Sequence, residues 1–247
     1  MTVPDPLPGW LTGARRITVL TGAGISTDSG IPDYRGPDGV WTRDPDAEKL
    51  VTLSYYVADP QIRRKAWAMR HESGLGARPN VGHAALVDLE RQGRLRALLT
   101  QNVDGLHTEA GSTGVLELHG TVRETECLSC GDRRPMAETV ARLDAGDPDP
   151  ACTVCGGILK SATISFGQLL DPAVIEAAAL AAGDCDVFLA VGTSLQVHPA
   201  AGLVDLAAAN GARVVVVNAE PTPYDGMADL VVREPISAAL PALLAGL

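Results

Sequence analysis

The chain is 247 residues long, 46% apolar and 20% charged, enough for one large domain with or without a small satellite and able to bury roughly three-quarters of its unfolded surface. Disorder and disulfide-stapled miniature scaffolds are excluded. Thirty acidic against twenty basic side chains give a formal charge of −10, which argues against attraction to a phosphate backbone as the main activity and suits a basic, lysine-bearing polypeptide as partner.

Residues 1–16 carry prolines and polar groups rather than a basic flank followed by an apolar stretch, so they do not read as a signal peptide. No apolar run approaches the roughly 20 residues of a membrane-spanning helix. Four of the five cysteines fall in two Cys-x-x-Cys pairs, which fits a reducing compartment and a metal better than a secreted disulfide framework. The expectation is a soluble cytoplasmic protein with no membrane and no direct nucleic-acid partner; the oligomeric state is not legible.

In chain order, apolar runs at Ile17 to Leu20, Leu95 to Leu99, Val187 to Val191, Val214 to Val217 and Leu230 to Val232 read as buried parallel strands. A short run from Val115 to Leu118 is also strand-like. Between them Gly82 to Gln92, Pro172 to Ala182 and Pro199 to Ala209 read as helices, several opening near proline and closing near glycine or asparagine. This alternation predicts an α/β fold with a Rossmann-type, doubly wound parallel sheet. Two segments interrupt it. Residues 44–73 are polar and helix-like, and residues 124–157 hold both cysteine pairs without a long apolar run. The predicted organisation is a discontinuous main domain (15–43, 74–123 and 158–247) with a helical insertion (44–73) and a zinc-ribbon insertion (124–157) forming a smaller lobe. A cleft between the lobes is the natural ligand site.

The run Thr21-Gly22-Ala23-Gly24-Ile25-Ser26 places a Gly-x-Gly turn directly after a strand, where backbone amides can approach a pyrophosphate without a Cβ in the way. Thr27 stands where a standard fingerprint has its third glycine, and a tight structural turn explains the motif equally well. Gly192-Thr193-Ser194 and Asn218-Ala219-Glu220 close two further strands with groups able to hold ribose hydroxyls, against the plainer readings of helix capping by Ser194 and solvation of Glu220. Cys127-x-x-Cys130 and Cys152-x-x-Cys155, 21 residues apart, have zinc-ribbon spacing. Four thiolates close the tetrahedral shell, so the zinc would be structural; a pair of redox dithiols is the competing reading. His119, before Gly120 at the junction of the lobes, is a candidate base because imidazole titrates near neutral pH.

Together Gly22 to Ser26, Gly30-Ile31-Pro32-Asp33-Tyr34-Arg35-Gly36, Thr100 to His107, Leu118-His119-Gly120, the cysteine pairs, Gly192 to Ser194 and Asn218 to Glu220 resemble the sirtuin family of NAD-dependent protein lysine deacylases, in family order. The resemblance implies that NAD, consumed as co-substrate, and an acyl-lysine protein substrate enter the cleft from opposite sides. It implies that the acyl oxygen attacks the nicotinamide ribose at C1′, that nicotinamide leaves, and that His119 then deprotonates a ribose hydroxyl. That hydroxyl attacks the imidate formed in the first step, and water completes the sequence to free lysine and O-acyl-ADP-ribose. It places Gly22, Ala23, Gly24, Ile25, Ser26, Asp33, Tyr34, Arg35, Gln101, Asn102, Asp104, Gly192, Thr193, Ser194, Asn218 and Glu220 at the cofactor, with His119, Asn102 and Asp104 catalytic. It places His119, Trp67, Arg70, Phe166, Gly167, Gln168 and Val197 at the substrate, and one structural zinc on Cys127, Cys130, Cys152 and Cys155.

Three positions depart from the family pattern. Tyr34 stands where many relatives have phenylalanine, and Gln168 replaces a common glutamate. Trp67-Ala68-Met69-Arg70 falls where relatives that remove acidic acyl groups carry Tyr-x-x-Arg, so bulk at Trp67 predicts acetyl ahead of succinyl. Protein ADP-ribosyl transfer or NAD hydrolysis and a noncatalytic NAD-responsive binding module are the alternatives. A hydride-transferring dehydrogenase would share the first glycine turn but leaves the ribbon and the His-Gly pair unexplained.

Overall fold

The computed structural model describes residues 2–37, 39–72 and 76–247, with the side chains of Pro45 and Glu72 left aside. Nine strands are found among them: β1 (Ile17–Thr21), β2 (Leu95–Thr100), β3 (Val115–Glu117), β4 (Gly120–Cys127), β5 (Arg133–Pro135), β6 (Leu159–Thr163), β7 (Val187–Val191), β8 (Arg213–Val217) and β9 (Leu230–Val232).

Six of them form one sheet in the order β3-β2-β1-β7-β8-β9, every neighbouring pair parallel. Parallel strands need crossovers, and those crossovers cover both faces. The strands of the centre therefore have no polar alternation: all five residues of β1 and all five of β7 are buried. Ile17, Val19, Val187, Leu189, Val191, Val215 and Val217 pack against Leu86 and Leu89 of helix Val81–Arg91 and Leu240 and Leu243 of helix Ile236–Ala245. Leu20, Phe188, Ala190, Val214 and Val216 pack on the other face against Ala178 and Ala182 of helix Pro172–Gly183 and Leu203, Val204 and Ala207 of helix Gly202–Ala209. The order reverses between β1 and β7, which opens a crevice at the carboxyl ends of those strands.

The anticipated strands are all present. The helix expected from Pro199 begins only at Gly202, after a turn over residues 198–201. Helix Ile236–Ala245 has no counterpart in the sequence reading. It contains Pro241, a residue that argues against a helix interior, yet Ala239, Leu240, Leu243 and Leu244 are buried and their packing overrides that cost.

The second sheet has the order β5-β4-β6, antiparallel throughout. Its strands run past both ends of the 124–157 segment, since β4 starts at Gly120 and β6 ends at Thr163. The helical segment comprises a 3-10 turn Pro45–Val51 and helices Leu53–Ala58 and Pro60–Glu72; its expected boundary at 73–74 lies outside the described residues. Trp67, from the last of these helices, packs with Cys127, Met136, Cys152 and Leu159. One indole thus joins the helical and cysteine-bearing parts into a single small core. Among the described residues no helix is long and apolar enough to cross a membrane.

Candidate active site and metal centre

The carboxyl ends of β1, β2, β7 and β8 converge on one cleft of about 420 Å³ whose opposite wall is the small lobe. Two turns make its floor. Gly22 N donates to Val191 O (3.0 Å), Gly24 N to Gly192 O (2.8 Å) and Gly192 N to Val217 O (2.8 Å). A Cβ on Gly22 would stand 2.7 Å from Gly192 O, and one on Gly24 2.7 Å from Gly192 Cα. These glycines are thus required by the contact between the turns themselves, with Gly192 at φ +61°. The chain then enters the 3-10 segment Ala23–Ser29, closed by Gly30 at φ +84°, which is why Gly30 comes later than a standard third glycine.

Beside the floor, Gln101 and Asn102 leave β2. Gln101 Nε2 donates to Thr193 Oγ1 (2.8 Å). Asn102 Nδ2 donates to Gly22 O (3.1 Å) and Ser26 Oγ (3.2 Å). Ser26 Oγ donates in turn to Asp104 Oδ2 (2.8 Å), and Asp104 Oδ1 accepts from Leu106 N (2.9 Å). Ala23, Gly24, Asp33, Tyr34, Arg35, Gln101, Asn102, Gly192, Thr193, Ser194, Asn218 and Glu220 line the cleft; of the remaining predicted cofactor residues, Gly22, Ile25 and Ser26 are buried and Asp104 is half-buried. Asp104 is therefore seen as a bracket for Ser26 and for the start of a helix.

His119 sits where the chain passes from β3 to β4. Gly120 follows at φ +71°, and a Cβ there would stand 2.2 Å from Ala162 O, so only glycine permits the turn between lobes. His119 Nδ1 lies 3.0 Å from Gln101 O. A carbonyl can only accept, so Nδ1 carries the proton and the neutral ring presents Nε2 as a lone pair. Burial lowers the His119 pKa below the ordinary value, partly opposed by the Gln101 carbonyl.

Trp67, Arg70, Phe166, Gly167, Gln168 and Val197 also line the cleft. The large lobe reaches Phe166 through aromatic contacts: Tyr34 and Trp41 are 4.9 Å apart between ring centroids and Trp41 and Phe166 5.6 Å, with the Arg35 guanidinium 4.5 Å over Trp41. Leu53 N donates to Phe166 O (3.0 Å) and Phe166 N to Val51 O (2.9 Å), which stitches the helical segment to this wall. Trp67 is only 2% exposed, so most of its bulk fills the small core while it also contributes to the cleft wall. Burial lowers the Arg70 pKa while Tyr34 and Tyr56 oppose it, and no ion pair to Arg70 is found among the described residues.

Sequence reasoning missed Trp41, Tyr56 and Lys160, all on the cleft wall. Lys160 is buried in β6, its ammonium donating to Ser161 O (2.9 Å) and Thr163 O. Burial, helped by Arg70 and Arg133, depresses its pKa to about 8 against an opposing Glu126. A lysine in a short strand with no charge pattern around it gives no signal of this placement.

The four paired cysteines bring their sulfurs within 4.8 Å of one another. Cys127 and Cys155 Sγ are 3.5 Å apart and Cys130 and Cys152 Sγ 3.8 Å, far beyond a disulfide bond of about 2.05 Å. Ser129 N, Val154 N and Gly157 N point at the sulfurs of Cys127, Cys152 and Cys155, each at 3.4 Å. Such donors favour thiolates. The donor set fits a closed, four-coordinate zinc. Cys185 stands apart, buried in the large-lobe core.

Away from the cleft, His83 and His107 are buried, and burial drives the His107 pKa down to about 3, with His83 adding to the effect. A histidine neutral in the fold but able to protonate near 6.5 once unfolded stabilises the fold above pH 6.5. That contribution is lost as pH falls from there towards 3. We expect denaturant unfolding to show about 2 kcal/mol less stability at pH 5 than at pH 7 from His107 alone, a slope that His107→Gln reduces. Equal slopes in the two proteins would contradict this.

The Sir2 family model matches residues 22–199 of the chain. The chain is 60% identical over 240 residues to NAD-dependent protein deacetylase 2 of Streptomyces coelicolor, covering 96% of this chain and 100% of the relative. It is 42% identical over 241 residues to NAD-dependent protein deacetylase 1 of Bradyrhizobium diazoefficiens, covering 96% and 93%. Among solved structures it is similar to a Sir2 complex with p53 peptide and NAD+ (TM-score 0.88, 30% identity, 99% and 98% covered). It is equally similar to a Sir2 variant with deacetylated p53 peptide and 3′-O-acetyl ADP-ribose (TM-score 0.88, 30% identity, 100% and 97% covered).

Proposed function

Because the chain belongs to the Sir2 family, we propose that it removes acyl groups, acetyl first, from protein lysine side chains at the expense of NAD, leaving free lysine, nicotinamide and O-acyl-ADP-ribose. The observation that carries the catalytic assignment is His119, its Nδ1 committed to Gln101 O and its Nε2 left free between the two lobes. NAD supplies an activated ribose carbon to this cleft; the chain supplies the rest.

The floor turns and the hydroxyls of Thr193 and Ser194 suit the phosphates, and Asn218 and the exposed Glu220 at the end of β8 suit the ribose hydroxyls of the adenosine half. Asn102 and Asp33 hold the nicotinamide half against Ala23. Tyr34 and Arg35, backed by Trp41, cover it and exclude bulk water. His119 Nε2 takes the proton of a ribose hydroxyl as general base. Phe166, Gly167, Gln168 and Val197 border the acyl-lysine, and the zinc on Cys127, Cys130, Cys152 and Cys155 holds the small lobe in shape without touching the chemistry. Asp104 serves this site indirectly, through Ser26.

The acidic chain, at −10, takes basic lysine-bearing segments rather than nucleic acid or anionic membrane, and its paired cysteines, not disulfide-bonded, suit a reducing cytoplasm. A peptide panel carrying acetyl, propionyl and succinyl lysine, incubated with and without NAD, tests the reading: acyl loss should require NAD and be fastest for acetyl. Arg70, without a carboxylate partner among the described residues, leaves a smaller succinyl activity by charge-assisted hydrogen bonding. A succinyl preference of about tenfold or more in kcat/KM would overturn the acetyl-first order.

A further inference from the structure

The rings of His83 and His107 pack tilted against each other, centroids 4.8 Å apart at 58°, and neither lines the cleft. Asn80 N donates to His83 Nδ1 (3.2 Å) and closes the start of helix Val81–Arg91, which accounts for His83. His107 has no such local task. Its Nε2 lies 2.9 Å from Thr21 Oγ1. Thr21's hydroxyl donates to Thr100 Oγ1 (2.8 Å), and Thr100 Oγ1 also accepts from Asn102 N (3.1 Å). With the Thr21 proton spent on Thr100, His107 Nε2 must donate to Thr21. The bonds then run from the imidazole to Thr21 and from Thr21 to Thr100, whose Oγ1 also accepts the Asn102 N–H.

This chain ends under the reacting groups. Thr21 and Thr100 are register partners in β1 and β2. Gln101 N donates to Thr21 O (2.9 Å), while Gln101 O holds His119 Nδ1. The peptide between Gln101 and Asn102 therefore rests on the hydroxyl pair from below and carries His119 on one side and the Asn102 side chain on the other. Apolar side chains would pack this position of a buried sheet at less cost: Thr21 and Thr100 are 0% and 2% exposed, and His107 Nδ1 has no hydrogen-bond partner among the described residues. A polar chain held at such a cost points to a task other than packing.

We propose that His107, acting through the Thr21 and Thr100 hydroxyls, is a positioning residue that fixes the Gln101–Asn102 peptide and so sets both the His119 ring and the Asn102 side chain in their working orientation. Burial keeps the imidazole neutral, its pKa near 3, so its single N–H stays directed at Thr21 across the working pH range. It exchanges no proton with substrate.

The inference rests on the deacylase reading, and wild-type enzyme run in parallel separates the two. Thr21→Val, which keeps the shape of the side chain, and His107→Phe, which keeps the stacked ring, each break the chain. Both are assayed for acetyl-peptide turnover, normalised to sites titrated with ADP-ribose, well below the unfolding temperature. A displacement of well under 1 Å at the Gln101–Asn102 peptide should lower kcat about 10- to 100-fold, with KM for NAD and for peptide within about threefold of wild type. His107→Gln, whose amide can replace the donor, should recover most of the loss. Turnover per site within about twofold of wild type in Thr21→Val would overturn the positioning role, as would a fall in turnover no larger than the fall in ADP-ribose sites. Should His107→Phe not fold, Thr21→Val decides alone. A wild-type enzyme without acetyl removal would overturn the deacylase reading and the positioning role with it.

Discussion

His119→Ala should leave the fold and ADP-ribose binding intact while lowering acetyl-lysine removal by about 10²- to 10⁴-fold, the range of a lost general base. Among the described residues the side chain makes one hydrogen bond, to Gln101 O, and it lies on the cleft wall outside the apolar cores. Its removal therefore costs little stability. The pH profile carries a second signature. The base works only when neutral, so activity is lost on the acid side as the ring protonates. Burial holds its pKa below the ordinary 6.5, so the acid limb of kcat/KM should lie below 6.5 and vanish in the alanine variant. Wild-type turnover by His119→Ala would remove the catalytic assignment.

Loss of the zinc should have the other large effect. The small lobe's core consists of Trp67, Met136 and Leu159 around two of the ligands, Cys127 and Cys152. That is too little apolar area to fold alone, so the metal's binding energy is the lobe's folding energy. Purified protein should hold one zinc per chain, and Cys152→Ser should hold none. Chelation should shift the emission of Trp67, buried against those cysteines, and lower activity by more than about tenfold because the lobe forms one wall of the cleft. Protein free of zinc yet fully active after exhaustive chelation would reject the site.

The parts of this molecule that were legible in its sequence are those set by local rules. A strand buried on both faces is largely apolar, so β7 and β8 announce themselves, and so does β1 despite its buried Thr18 and Thr21; a chain reversal against another backbone needs glycine, so Gly22, Gly24 and Gly192 do too. The paired cysteines carry their own spacing. What escaped depends on contacts between distant segments. Tyr56 and Lys160 reach the cleft only because helix Leu53–Ala58 and β6 meet there, the phenol donating to Leu159 O at 2.8 Å. β5 has three exposed residues and no pattern to read. The resemblance groups Asp104 with the reacting residues; that its carboxylate also accepts from Ser26 Oγ and Leu106 N is a contact no sequence pattern reveals. The burial of Trp67 between the helical and cysteine-bearing segments depends on contacts between distant parts of the chain.

The account stands most directly on the identity of the products. Enzyme, NAD and one acetyl-lysine peptide should give deacetylated peptide, nicotinamide and O-acetyl-ADP-ribose in equal amounts by mass spectrometry, with none of the three formed when NAD is withheld. NAD breakdown with the acetyl group still on the peptide, or a peptide that gains ADP-ribose, would contradict it.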